Sequence, residues 1–295
     1  MIEFWIFLSI LAAFLWSVSN VIDKYVLSKL ISTPMIPVVI SGFVALVIGL
    51  SVIASSGFGA MSLGHIFLAL AGGSVYTFVL LLYFKAIKIG DITSLVPLFY
   101  LVPLFIAAIA WFLLGERLLS MEYAGIFLLV AGAFMISWDN NNPFKFGKAF
   151  WLMIFSTFLL AINQVITKYL LNFYDFWPVF ALISVGCFLP VIPIFFKNFH
   201  DLKLLILKNK KAVGFVLASE FLYRSASALI TFAVAIGSVT LVNAISSIQP
   251  FFVLLIMVLF SFFAPNILKE ELPKSKILSK VVAITVMFIG GILVS

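Results

Sequence analysis

An acidic and a basic residue lie together within one long apolar stretch of this sequence. Glu220 and Arg224 carry the only charges in residues 212–236. Because they are four residues apart, a helical backbone would place them on one face, where they can pair directly. A charge at the centre of a membrane-spanning helix costs about 2.5 kcal/mol or more, so such residues usually have a function. Two interpretations follow: Glu220 binds a proton and Arg224 anchors a substrate carboxylate or phosphate, or the two form a neutralised structural pair.

Amide, hydroxyl and tyrosine side chains recur in other apolar stretches, where lipid offers no hydrogen-bond partner. An interhelical hydrogen bond would satisfy each of them singly. Taken together they predict a polar and aromatic cavity that binds a solute. The set comprises Ser19, Asn20, Tyr76, Asn163, Gln164, Tyr223, Asn243 and Gln249.

Two lysines lie near the ends of apolar stretches, and two prolines lie in the middle of others. Lys24 and Lys168 are candidate gate contacts or helix-end anchors, and the alternative is a side chain that extends to the membrane interface. Pro103 and Pro250 each remove a helix hydrogen bond, which would allow a pair of kinks.

The residue types that enzymes and nucleotide-driven pumps require are absent or scattered. His65 and His200 are far apart, and no cluster of His, Asp and Glu has metal-ligand spacing. The sequence has no activated Ser or Cys arrangement and no Gly-Lys-Ser/Thr phosphate loop. We therefore expect no enzyme activity, no metal and no cofactor. The net charge of +7 comes from lysines between apolar stretches, which favours lipid headgroups over nucleic acid as their partner.

The composition requires a lipid environment around these residues. Of 295 residues, 64% are hydrophobic and 10% are charged, with a mean hydropathy of +1.28, whereas soluble domains carry roughly 25% charged residues. Several uncharged runs reach the ~20 residues that cross a bilayer. They include Phe4–Ile22, Ile66–Phe84, Ile92–Gly115, Ala149–Thr167, Phe176–Phe196 and Val239–Phe263. With the stretch before Ser55–Gly59, residues 212–236 and the shorter runs Tyr123–Trp138 and Val281–Ser295, we predict an all-α integral membrane protein of ten transmembrane helices.

The two halves of the chain resemble one another. At an offset of 144 residues, Lys24 and Tyr25 meet Lys168 and Tyr169, and at an offset of 147, Gly90 meets Gly237. The polar residues 139–148 separate the halves, so we predict two repeats, residues 1–140 and 141–295, that form one transport domain. Five spans is an odd number, so the second repeat would enter the membrane from the opposite side. Inverted repeats of this kind typically build transporters with the substrate site between the halves.

Three short motifs resemble a known family. They are the stretch Trp16–Tyr25, the series Ala86, Gly90 and Pro103, and Leu114–Leu118 with its sequence Leu-Gly-Glu-Arg-Leu. They are similar to the EamA type of the drug/metabolite transporter superfamily. The resemblance implies a ten-helix bundle whose central cavity is lined mainly by its first, third, fourth, sixth, eighth and ninth helices. In the second half, Lys269 replaces the glycine of the Gly-Glu motif, so Glu270 is not equated with Glu116.

The sequence leaves alternatives open for the membrane orientation and for the function. Of the basic residues, 15 fall in odd-numbered loops, which places both termini outside the cell, whereas the resemblance implies termini inside. We expect a multi-pass protein of the plasma membrane, monomeric or homodimeric, that transports small polar metabolites such as amino acids and is proton-coupled or facilitative. The alternatives are a carrier of lipid-linked sugars or nucleotide sugars and, from another class, a membrane-embedded enzyme of lipid metabolism.

Overall fold

The computed structural model describes residues 2–57, 60–102, 104–106, 108–109, 120–137, 147–237, 242, 245–246, 248–263 and 274–294. Within these residues the secondary structure is helical, and none of them is in a strand. The helices are α1 (Ile2–Tyr25), α2 (Met35–Ser56), α3 (Leu63–Ile89), α4 (Ile92–Leu95), α5 (Ser120–Ser137), α6 (Lys148–Leu171), α7 (Phe176–Gly186), α8 (Val191–Lys208), α9 (Lys210–Ile236), α10 (Gln249–Phe263) and α11 (Lys274–Val294). A π-helical turn, Val26–Leu30, continues α1, and a 3₁₀ segment, Val96–Leu101, continues α4.

Local signals in the sequence set several helix ends. Helix α2 ends at Gly57, whose positive φ of 68° suits a residue without Cβ and whose N–H bonds to the carbonyl of Ile53. The next helix, α3, begins after Ser62, whose hydroxyl accepts from the backbone N–H of His65. Asn209 caps α9 in the same way by accepting from the N–H of Ala212. The break that the sequence predicts within Ser55–Gly59 is therefore confirmed.

Among the described residues, five helices are long and apolar enough to cross a membrane: α1 with its π turn, α2, α3, α6 and α9. Helices α7 and α8 add a sixth span if the two are one crossing, bent by 52° at residues 187–190. The sequence predicts one uninterrupted span there. Pro190 and Pro193 account for the break, because each lacks the N–H that continues a helix.

The two halves of the chain pack against each other along several helices. Helix α1 packs along α9, and α3 packs along α6. Helix α2 packs on α7, and α5 packs on α11. Each of these pairs joins residues from before and after position 140, so the halves interlock and their helices converge on a shared interior.

Candidate functional site

A cavity of about 160 Å³ lies between the helices of the two halves. Its walls come from α1, α3, α6, α7 and α9. Phe99 and Val102, which follow α4, Ser246, and Gln249 at the start of α10 complete the lining. The polar lining residues include Trp16, Asn20, Asp23, Tyr76, Tyr83, Asn163, Gln164, Thr167, Glu220, Tyr223, Arg224, Ser227 and Thr231. Aromatic and aliphatic side chains complete the wall, so the cavity has an apolar body with polar groups at chosen places, as ligand sites do.

The structure brings most of the residues singled out from sequence to this one cavity. Glu220, Arg224, Tyr223, Tyr76, Asn20, Asn163, Gln164 and Gln249 line it. Ser19 is buried directly beside it, facing α9. Asn243 and Pro103 lie outside the described residues, and Pro250 is the second residue of α10, at a helix start. The predicted pair of proline kinks therefore stays a prediction.

Glu220 and Arg224 form a buried ion pair that α2 completes. The Arg224 Nε lies 3.5 Å from Glu220 Oε2, and both side chains are more than nine-tenths buried. Ser41 of α2 donates its hydroxyl to Glu220 Oε2 at 2.9 Å. Arg224 Nη2 in turn donates to the Ser41 hydroxyl at 3.0 Å and to its carbonyl at 3.3 Å. The pair is thus held by a serine that no pattern in the sequence selects.

At the equivalent position in the first half, two helices contact each other by close packing and not through charged side chains. The repeat equates Gly73 and Thr77 of α3 with Glu220 and Arg224. A Cβ at Gly73 would collide with the carbonyl oxygen of Ile183, so α3 touches α7 backbone to backbone there. Thr77 donates its hydroxyl to the carbonyl of Cys187 at 2.5 Å. Helix α9 therefore meets α2 through charged side chains where α3 meets α7 through a glycine.

Asp23 is a second carboxylate in the cavity wall, and the sequence reasoning missed it. Its side chain is buried, and Ser219 donates to Asp23 Oδ1 at 2.5 Å. The Ser219 hydroxyl also lies 2.9 Å from the hydroxyl of Ser19. An available signal was the repeat itself, which matches Asp23 with the neutral Thr167. Asp23 is therefore like Glu220: each is a carboxylate whose equivalent position in the other repeat is uncharged.

Three aromatic rings cross the cavity in a row. The ring of Trp16 lies 6.1 Å from that of Tyr223, which lies 6.1 Å from the ring of Tyr76. The Arg224 guanidinium carbon is 5.9 Å from the Tyr223 ring centre, within the range of a cation–π contact. The row joins α1, α9 and α3, so a solute between these helices would touch aromatic faces.

The two lysines singled out from sequence bind equivalent helix ends outside the cavity. Lys24 Nζ donates to the carbonyls of Ile87 and Gly90, at 2.9 and 2.7 Å, at the end of α3. Lys168 Nζ donates to Val234 and Gly237, at 3.2 and 3.3 Å, at the end of α9. A cation at a helix C-terminus is favoured by the helix dipole. In this geometry both lysines tie one helix to the end of another.

A second hydrogen bond repeats between the halves at the same offsets. Ser19 donates to the carbonyl of Ser219 at 3.2 Å, and Asn163 donates to the carbonyl of Gly72 at 3.0 Å. Residue 163 is 144 residues after 19, and 219 is 147 residues after 72. These are the offsets that relate the two lysine contacts, so two independent sets of contacts follow one register.

We expect Lys24→Met and Lys168→Met to lower stability by similar amounts. Each change removes a charged donor from two helix-end carbonyls, and a hydrogen bond to a charged group contributes about 1.5–3 kcal/mol. Thermal unfolding of the purified variants in detergent measures the effect. Lys203→Met on α8 is the control, since Lys203 is exposed and no hydrogen bond or ion pair is found for its side chain among the described residues. A loss in only one of the two variants would contradict an equivalent role.

Comparisons with known proteins bear on the whole chain and on its first half. Residues 3–138 match the model described as the EamA-like transporter family. No curated protein matches the chain significantly. One solved crystal structure, 16% identical in sequence, superposes with a TM-score of 0.64 over 98% of this chain and 95% of that chain. That likeness shows a shared fold across both halves.

Among the described residues, no group of three or more His, Cys, Asp and Glu is arranged to hold a metal ion.

Proposed function

We propose that this multi-pass membrane protein is a secondary carrier of small polar metabolites, since residues 3–138 match the EamA-like transporter family, which is part of the drug/metabolite transporter superfamily. Amino acids are the leading substrate class. The observation that carries the proposal is the cavity, which combines a buried ion pair, amides and three aromatic rings from helices of both halves. A solute bound there could be exposed to each side of the membrane in turn.

We further propose ten spans in two inverted repeats. The five long spans, the bent pair α7–α8 and four shorter apolar helices together make ten. The two sets of contacts related by one register support the repeat. In alternating access, one repeat moves against the other around a fixed site between them. The helix pairs α1–α9 and α3–α6 are equivalent in this scheme. We therefore expect one pair to separate when the cavity opens to one side of the membrane, and the other pair when it opens to the opposite side.

The cavity size favours a small solute over the larger alternatives. Drug-sized ligand sites measure roughly 300–1,000 Å³, whereas this cavity measures about 160 Å³ in the present conformation. An amino acid suits this space better than a nucleotide sugar or a lipid-linked sugar. Those two larger classes remain the runner-up substrates, and an enzyme of lipid metabolism remains the alternative from another class.

Coupling to protons would use a carboxylate within the cavity. Glu220 is the group that the sequence selects, and the structure adds Asp23. Glu220 already has a cationic partner in Arg224. Asp23 has only the hydroxyl of Ser219 as a hydrogen-bond partner among the described residues. A carboxylate with a neutral partner can take up a proton without leaving a buried cation unpaired, which makes Asp23 the stronger candidate.

Counterflow in liposomes tests the proposed function. Purified protein is reconstituted in vesicles loaded with one unlabelled solute, and uptake of the same labelled solute is followed for twenty amino acids and UDP-glucose. We expect counterflow of at least one amino acid and none of UDP-glucose. Chemical conversion of a solute or lipid without counterflow would contradict a carrier and support the enzyme alternative. Counterflow of UDP-glucose alone would support the runner-up substrate.

A further inference from the structure

Three buried side-chain nitrogens have no hydrogen-bond partner among the described residues. They are Trp16 Nε1, Asn20 Nδ2 and Arg224 Nε. All three are N–H donors, and all three residues line the cavity. Buried polar groups are nearly always hydrogen-bonded, and an unpaired buried donor is destabilising. The described part of the cavity therefore lacks acceptor atoms at three places.

Two of these donors lie on one face of α1 and are held in place by neighbours. Trp16 and Asn20 are four residues apart, one helix turn along the same face. Tyr83 donates its hydroxyl to Asn20 Oδ1 at 2.9 Å, which leaves the amide nitrogen as the free end. The Trp16 ring lies against Tyr223 at 6.1 Å. Both donors are thus fixed before any ligand arrives, which lowers the entropic cost of binding.

The third donor contributes charge from the facing helix. Arg224 Nε is 3.5 Å from Glu220 Oε2, and this contact does not have the geometry of a hydrogen bond. Two hydrogen bonds from Arg224 Nη2 to Ser41 hold the side chain towards α2. Arg224 lines the same cavity as the two neutral donors. Its charge favours an anionic acceptor over a neutral one, because hydrogen bonds between ionised partners are the stronger ones.

We propose that Trp16 Nε1 and Asn20 Nδ2, assisted by Arg224, form the subsite that binds the carboxylate of a transported solute. The proposal rests on the proposed function and makes it more specific. A carboxylate is an acceptor-only group with two oxygens and about four lone-pair positions, so its acceptor capacity matches a set of three N–H donors. The apolar and aromatic remainder of the cavity then surrounds the body of the solute.

The test compares carboxylates with their amides on defined variants. Thermal stabilisation of the purified protein in detergent is measured with the twenty proteinogenic L-amino acids and with their C-terminal amides. Trp16→Phe removes the indole N–H and keeps an aromatic ring. Asn20→Asp keeps the oxygen that accepts from Tyr83 and replaces the donor with an acceptor of nearly the same size. Trp177→Phe, at a side chain 54% exposed on α7, is the matched control for the indole change.

We expect one or more amino acids to stabilise the wild-type protein while the corresponding amides do not. Trp16→Phe and Asn20→Asp should each weaken the apparent affinity about tenfold or more, as loss of a charge-assisted hydrogen bond predicts. The Trp177→Phe control should bind as the wild type does. Equal stabilisation by amides, unchanged carboxylate affinity in both variants, or no stabilisation by any carboxylate would overturn the subsite.

Failure of the subsite is distinguishable from failure of the proposed function. If the amides show counterflow in wild-type proteoliposomes while carboxylates do not bind, the protein is a carrier and the subsite assignment is wrong. If neither series binds or shows counterflow, the proposed amino-acid carrier is wrong, and the subsite is overturned with it. If only water binds at the three donors, neither the amino acids nor their amides should stabilise the protein or show counterflow.

Discussion

Replacement of Arg224 with Met should destabilise the protein more than any other single change discussed for this cavity. The change leaves Glu220 buried beside Ser41 with no cationic partner. Breaking a buried ion pair by removing one partner costs roughly 3–5 kcal/mol, because the remaining charge is uncompensated. At a few degrees per kcal/mol for a chain of this size, we expect the midpoint of thermal unfolding in detergent to fall by about 10 °C.

The double variant Glu220→Gln with Arg224→Met should recover most of that loss. Buried ion pairs replaced by neutral groups of similar volume are often as stable as the original. The new glutamine amide oxygen could still accept from Ser41, whose hydroxyl is 2.9 Å from Glu220 Oε2 in the wild type. A double variant as unstable as Arg224→Met would contradict this account. The matched control is Lys203→Met on α8, outside the cavity.

The same double variant separates the two interpretations of the ion pair. If Glu220 and Arg224 are only a structural pair, the recovered protein should show counterflow close to that of the wild type. If Arg224 also anchors the substrate, the protein should be folded and inactive. In α3, Gly73 and Thr77 make the equivalent helix contact without charge, so in the first half that contact forms without an ion pair.

Much of the candidate site could be predicted from sequence because polar residues stand out in an apolar chain. Asn20, Tyr76, Gln164 and Glu220 come from four different stretches and line one cavity. The repeat offsets were equally informative, since Lys24 and Lys168 bind helix ends that the same register relates. Composition and register can both be read along a single chain, and neither requires knowledge of which helices touch.

What the sequence did not predict depends on contacts between distant helices. Ser41 is an ordinary serine in α2 until α9 places Glu220 and Arg224 beside it. The break between α7 and α8 had a signal in Pro190, but an uncharged run of spanning length suggested one straight helix. Asp23 was overlooked beside Lys24, because neighbouring opposite charges near a helix end suggest an interface and the sequence alone does not show that Asp23 faces the cavity.

Asp23→Asn should remove proton-driven accumulation of substrate while leaving counterflow within about a factor of two of the wild type. Asparagine has nearly the same size and can still accept from Ser219, so the cavity keeps its shape. It cannot bind or release a proton, so a pH gradient no longer supplies free energy for transport. The measurement is uptake into proteoliposomes with and without an imposed pH gradient, using the amino acid with the strongest wild-type counterflow.

The matched variant Glu220→Gln decides which carboxylate couples transport to protons. Asp23 shares the cavity with Glu220, Arg224, Tyr83 and Tyr223, so any of these groups could influence its proton binding. If Asp23 is the coupling group, Glu220→Gln should retain a response to the pH gradient, because Arg224 holds Glu220 as an ion pair in the wild type. If the response is lost in Glu220→Gln and kept in Asp23→Asn, coupling belongs to Glu220. If the response is kept in both variants, neither carboxylate alone is required for coupling and both assignments are wrong. A wild-type protein without any response to the pH gradient would mean that transport is facilitative.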